Sequence, residues 1–168
     1  MKMIKFTIKV EPFSINAVNA IGNKRLYSTP KFREWRSRVV KSLDNPDTAA
    51  KLEEFKEDID SNKHGLYFII NHKINEKSFY TNNGAISIRS KDISNIEKPL
   101  IDIICDSKLS ERKDFTNLGI DDRFIVGQNS TKQSHDCDKI TVEIYKIDLT
   151  KWDATLKRIT ESIKGVLK

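Results

Sequence analysis

The sequence predicts an α/β protein of the α+β type: a small mixed sheet packed with helices, in one compact domain over residues 1–168. Three observations predict it. Met3–Val10 and Lys139–Ile147 alternate apolar and polar residues with the period of a half-buried strand. Leu66-Tyr67-Phe68-Ile69-Ile70 is a continuous apolar run suited to a central strand. Around these strands, four stretches carry apolar residues at helical spacing. A chain of 168 residues is long enough to bury one real core and too short to expect two.

In chain order, Ile4, Phe6, Ile8 and Val10 form the inward side of the first strand, with Lys5, Thr7 and Lys9 outward. Asn16 to Ser28 reads as a polar loop carrying Asn23, Lys24 and Arg25. Thr29-Pro30 is a helix start, a cap residue followed by proline at the first helical position. Phe32, Trp35, Val39 and Leu43 mark that helix's buried stripe. Asp47 to Ile59 reads as an acidic helix with Leu52, Phe55 and Ile59 inward. Gly65 to His72 is the central strand, Thr81–Gly84 is turn chemistry, and Ala85 to Lys91 extends as a short strand. Lys108 to Asn117 is a charged connection before a strand at Phe124-Ile125-Val126. After the last strand, Thr150 opens a final helix over 149–168 with Trp152, Leu156, Ile159, Ile163 and Val166-Leu167 on one face. No internal repeat or low-complexity segment interrupts the chain.

Composition narrows the function classes. Charged residues make up 32% and hydrophobic residues 38%, as in soluble globular proteins. A net charge of +6 and a pI near 9.2 fit a polyanionic partner. Between Lys24 and Lys41 seven basic residues stand against the single acid Glu34, so this segment is the candidate phosphate-binding surface; a solvated amphipathic face is the plainer alternative. No apolar run reaches the length of a membrane span, and the start lacks a signal-peptide pattern. With only Cys105 and Cys137 there is no disulfide framework, and a cytoplasmic location is the expectation. His135-Asp136-Cys137-Asp138 holds two possible zinc ligands, with Cys105 as a possible third, but lacks the paired tight spacings of structural zinc sites. Neither cysteine has a suggested base beside it, and no glycine-rich phosphate loop is present.

The chemistry concentrates between Lys91 and Val126. Ser94 followed by Glu97 is a capping box, in which the serine accepts an amide of the first turn and the glutamate reaches back to the cap amide. Ile96, Leu100, Ile103 and Ile104 make the buried stripe; Asn95, Lys98, Asp102 and Asp106 share the polar face. Pro99 then falls inside the helix and removes a hydrogen bond there, a cost that points to work other than stability at this helix start. Asp92 precedes the helix, where its charge favours the positive end of the dipole. Asp121-Asp122 can return to the same place if their strand lies beside the helix start. Converging carboxylates suit a hard divalent ion such as Mg²⁺ or Mn²⁺. The plainer alternative is a helix-start residue and a turn.

Asp92-x-Ser94-Asn95-x-x-Lys98-x-x-x-Asp102, followed by Gly119-x-Asp121-Asp122-x-x-Ile125, resembles the signature of the RusA family of Holliday-junction resolvases. The resemblance runs from about Met3 to Tyr145 and includes Pro12-Phe13-Ser14-Ile15-Asn16 after the first strand, Tyr27, and the helix with Trp35. It implies a RusA-like fold and a Mg²⁺-dependent DNA endonuclease, with Mn²⁺ able to substitute, that acts as a homodimer on four-way junctions or other branched DNA. It implies that Asp92 and Asp122 bind metal and that Lys98 is needed for cleavage. Ser94 stands where the family has a second metal-binding Asp. Either Asp102 or Asp121 restores the lost charge, or the protein binds branched DNA with weak or lost cleavage. The nucleic-acid contacts expected with this reading are Asn16, Lys24, Arg25, Arg33, Arg36, Arg89, Lys91 and Lys132. An enzyme or interaction protein acting on something other than DNA is the remaining class.

Overall fold

The structure, a computed structural model, describes residues 2–17, 19–22, 25–57, 59–60, 62–87, 92–105 and 115–151. It is an α+β fold built on a mixed four-stranded sheet. The strands are β1 (Met3–Ile8), β4 (His64–Asn75), β5 (Ile125–His135) and β6 (Lys139–Asp148), in the order β1-β6-β4-β5. The pairs β1–β6 and β6–β4 are antiparallel, whereas β4–β5 is parallel. A parallel pair needs a long crossover, which the segment between Asn75 and Ile125 supplies with α3 (Glu76–Phe79) and α4 (Ile93–Cys105). Two further helices, α1 (Pro30–Leu43) and α2 (Pro46–Glu57), lie between β1 and β4 in sequence.

The core follows from strand alternation. Ile4, Phe6 and Ile8 of β1 sit opposite Ile144, Val142 and Ile140 of β6, and Phe68 and Ile70 of β4 continue the rows through Ile144 and Val142. This face packs with Trp35, Val39 and Leu43 of α1, Leu52 and Phe55 of α2, and Leu100, Ile103 and Ile104 of α4 in one apolar cluster. Entry into α1 is set locally. The Thr29 hydroxyl accepts the Phe32 N–H at 3.2 Å, Pro30 occupies the first turn, and the Trp35 indole donates to the Glu11 carbonyl at 2.8 Å.

Several expectations are corrected. The segment taken as a loop from Asn16 to Ser28 contains a short 3-10 turn at Ile15–Ala17 and a hairpin, β2 (Asn19–Gly22) with β3 (Arg25–Ser28). Each strand is only four residues long, with the pairs Ala20–Tyr27 and Ile21–Leu26 at the centre, too short a run for period-2 patterning to show. β4 runs on to Asn75 and β5 on to His135, well past their apolar runs. In β5 the residues beyond Val126 are polar on both faces, and backbone pairing with β4, not apolar alternation, extends the strand. Phe124 belongs to a 3-10 turn, Asp122–Phe124, that leads into β5. The strand expected from Ala85 shows a single bridge, Tyr80 with Ile86, and residues 88–91 lie outside the described residues. The final helix shows only a 3-10 turn at Leu149–Lys151; its remainder, 152–168, is also outside them, as are residues 106–114 of the charged connection. Among the described residues no helix is long and apolar enough to cross a membrane.

Candidate functional site

The helix α4 begins at Ile93, one residue before the expected cap. Ser94 is therefore inside the first turn, and the capping box is replaced by another arrangement. Glu97 is buried, and its Oε2 accepts from Gln128 Nε2 of β5 at 2.6 Å. A signal for this was present in the sequence. Glu97 stands three, four and seven residues before Leu100, Ile101 and Ile104, all buried, so an acid sits on the apolar stripe. Buried carboxylates need a partner, and Gln128 is the one supplied. Pro99 is the seventh residue of α4 and leaves the Asn95 carbonyl without its helical donor.

Three contacts define how the following chain passes α4. The Leu118 N–H donates to the Ile104 carbonyl at 2.8 Å, Lys98 meets Asp122, and Gln128 meets Glu97. Residues 118–128 therefore run along α4 from its C-terminal end toward its N-terminal end. This antiparallel passage delivers Asp122 to the helix face that carries Lys98 and Asp102. Gly119, with φ of +61°, makes the turn that starts it, a backbone conformation glycine adopts without strain.

At the centre, Lys98 Nζ lies 2.7 Å from Asp102 Oδ1 and 2.7 Å from Asp122 Oδ2. The Lys98–Asp102 pair is an i, i+4 contact on one helix face; the Asp122 contact closes the loop between two distant parts of the chain. Hydrogen bonding to Asp102 first, then to Asp122, pushes the Lys98 ammonium further above its ordinary pKa, so it is a fixed positive charge. All three side chains remain nearly half exposed. Exposed pairs of this kind contribute on the order of 1 kcal/mol or less, so their consequence is placement more than stability.

The other expected ligands lie differently. Asp92 is exposed immediately before α4, and its backbone carbonyl accepts the Asn95 N–H at 3.1 Å. Asp121 Oδ1 accepts the Arg123 N–H at 2.9 Å and pairs with Arg123 Nε at 3.0 Å. The Arg123 side chain holds the Asp121 carboxyl below its ordinary pKa. Asp121 is thus engaged in shaping the turn before β5. Among the described residues, Asp92, Asp102, Asp121 and Asp122 do not come together as a group of three donors. What fits a hard divalent ion is the donor chemistry: oxygen-only, half-exposed carboxylates, two of which already share one cationic group.

Past Gln128, β5 carries Ser130, Lys132 and Ser134 on the same face, about 7, 13 and 20 Å further along the strand. In register with β4, Ser130 lies beside Ile70, Lys132 beside His72, and Ser134 beside Ile74. The His72 ring is fully buried, and both of its nitrogens lack a hydrogen-bond partner among the described residues, as do Ser130 Oγ and Ser134 Oγ. Burial pushes the His72 pKa down to about 4, so the ring is neutral near pH 7. This polar row under the sheet's helical side was not legible from periodicity, because His72 looked like the polar end of an apolar strand.

The expected nucleic-acid contacts divide. Arg33 and Asn16 are exposed, and Arg36 is half-buried with its guanidinium 5.5 Å from the Phe115 ring centroid. Arg33 Nη1 also donates to the Ser28 carbonyl at 2.6 Å, and the Asn16 N–H donates to Ser14 Oγ at 3.3 Å. Arg25 belongs to β3, with its side chain outside the description. Lys24, Arg89 and Lys91 lie outside the described residues. Lys132 is half-buried on β5, away from α1 in sequence but on the same strand as Gln128.

In comparison with known proteins, no family model matches this chain and no curated protein matches it.

Proposed function

We propose that this chain is a Mg²⁺-dependent, structure-specific DNA endonuclease that resolves Holliday junctions or other branched DNA by paired symmetric nicks, in recombination and repair. One observation carries the reading. Asp122, 24 residues beyond Lys98, rests its carboxylate on the Lys98 ammonium, so both halves of the RusA-like signature meet at one surface. The resemblance to that family supplies the activity; the contact supports it.

Asp92, Asp102 and Asp122 are the residues that would hold the ion, and because they do not form a group of three donors among the described residues, Asp92 would have to draw in toward the pair on Lys98 to do so. When bound, a divalent cation lowers the pKa of a coordinated water and screens charge at a phosphorus centre. Lys98, held by Asp102, carries a permanent positive charge suited to an anionic phosphate in its transition state. The basic face of α1, with Arg33 and Arg36, supplies a salt-sensitive hold on the phosphate backbone. A twofold homodimer would present two such sites to a near-twofold four-way junction. Selection of branched over linear DNA then rests on shape and phosphate placement.

A second reading is favoured by Ser94, a neutral hydroxyl where the family signature has a carboxylate: a branched-DNA-binding protein with weak or lost cleavage. A junction-cleavage assay in Mg²⁺ and in Mn²⁺ separates the two. Symmetric nicks that vanish in Asp122→Asn, with junction affinity retained, support the endonuclease. Tight junction binding without nicks at any metal concentration selects the second reading, and no preference for junctions over linear duplex removes both.

A further inference from the structure

The turn between β5 and β6 brings together three side chains that the endonuclease reading does not use. His135 Nδ1, a carboxylate oxygen of Asp136 and Cys137 Sγ all lie within 4.8 Å of one another. His135 Nδ1 stands 3.6 Å from Cys137 Sγ and is in contact with Asp136 Oδ1. We propose that this hairpin is a cation site for a thiophilic transition ion of the Zn²⁺ class, with His135, Asp136 and Cys137 as its three protein donors.

Donor type points to that class. Thiolate and imidazole suit zinc and its neighbours, whereas Mg²⁺ takes oxygen only. The spacing of nitrogen and sulfur agrees, while the Asp136 oxygen, in contact with the ring nitrogen, would have to draw back to join them. Bonds of about 2.0–2.3 Å in a tetrahedral shell place neighbouring donors about 3.3–3.8 Å apart, the separation already seen between the ring nitrogen and the sulfur. The imidazole presents Nδ1 to the inside of the turn, where the Cys137 N–H reaches it at 3.3 Å; a bound ion would take that lone pair in place of this long hydrogen bond.

The turn is also framed. The Asn75 N–H donates to Asp138 Oδ1 at 2.9 Å, and Asn75 Nδ2 donates to the Asp136 carbonyl at 2.8 Å. Asn75 ends β4 in register with His135, so three strands fix the hairpin from which the donors project. His135 is mostly covered while Asp136 is open to solvent, which leaves an entry path and a free coordination position for water. Cys105, the third ligand considered from sequence, is buried in the apolar stripe of α4 and takes no part. The hairpin also stands apart from the carboxylates of α4. β5 spans about 33 Å from Ile125 to His135.

Titration of the full chain with Co²⁺, a spectroscopic substitute for Zn²⁺, under a non-thiol reductant tests the site. The expected result is a thiolate-to-cobalt charge-transfer band that saturates at one equivalent and is bleached by Zn²⁺. The band is absent in Cys137→Ser and in His135→Ala. Cys137 is on the exposed turn and His135 ends β5, and far-ultraviolet circular dichroism checks that each variant keeps its fold. No band in excess Co²⁺, or a band that survives Cys137→Ser, overturns the proposal. An oxygen-only site at Asp92 and Asp122 gives no thiolate band, so the outcome is independent of whether the chain cuts DNA.

Discussion

Removing the buried imidazole of His72 should change how stability responds to acid. The ring is completely buried in β4, and neither nitrogen has a partner among the described residues. Burial lowers its pKa from 6.5 to about 4. Above pH 6.5 the group is neutral in both folded and unfolded chains and adds no pH dependence. Between pH 6.5 and 4 the unfolded chain takes up a proton that the folded chain refuses, so stability falls as pH falls; below about 4 both states are protonated and the slope ends. That gap corresponds to about 3 kcal/mol at 1.36 kcal/mol per pH unit, a large share of a typical domain's stability of roughly 5–15 kcal/mol. Urea unfolding of wild type and His72→Leu at intervals from pH 7.5 to 4 isolates the effect, since the carboxylates are common to both. At pH 7 the variant should be at least as stable, because it removes unpaired buried nitrogens that each cost about 1–3 kcal/mol. Its advantage should then grow by about 3 kcal/mol by pH 4. Two curves that stay parallel over this range would refute the reasoning, since the ring would then be hydrogen-bonded or wet.

Other perturbations test other contacts. Lys98→Met should abolish nicking while lowering unfolding stability by about 1 kcal/mol or less; a loss of several kcal/mol in a urea titration would make the Asp102–Lys98–Asp122 contact a structural one. Neutralising Arg33, Arg36 and Arg38 together as glutamines should reduce the slope of log affinity against log salt on duplex or junction DNA by about 2–3, and an unchanged slope would remove the α1 surface from DNA binding. Gly127→Ala should destabilise by about 1–3 kcal/mol, because a Cβ there would come within 2.7 Å of the Tyr67 ring. In a thermal melt Tyr67→Leu should recover part of that loss in the double variant, and strict additivity would show that the two residues do not press on each other.

Much of the frame was written in local sequence. The alternation of Ile4, Phe6 and Ile8, the Thr29-Pro30 start of α1, the Leu52 and Phe55 stripe of α2, and Ile96, Leu100, Ile103 and Ile104 of α4 are all buried or bonded as their spacing requires, because burial of one face imposes its period on the chain. Local pattern also brought Lys98 and Asp102 together, one helical turn apart. Only the tertiary structure decided which carboxylate joins them. The antiparallel passage of residues 118–128 beside α4 puts Asp122 on Lys98 and gives the buried Glu97 to Gln128 rather than to its own helix start. Those outcomes depend on contacts between residues 24 and 31 positions apart. No spacing rule within one element can encode them, because they follow from how the elements pack. The same holds for His72, whose chemistry comes from the strands that surround it.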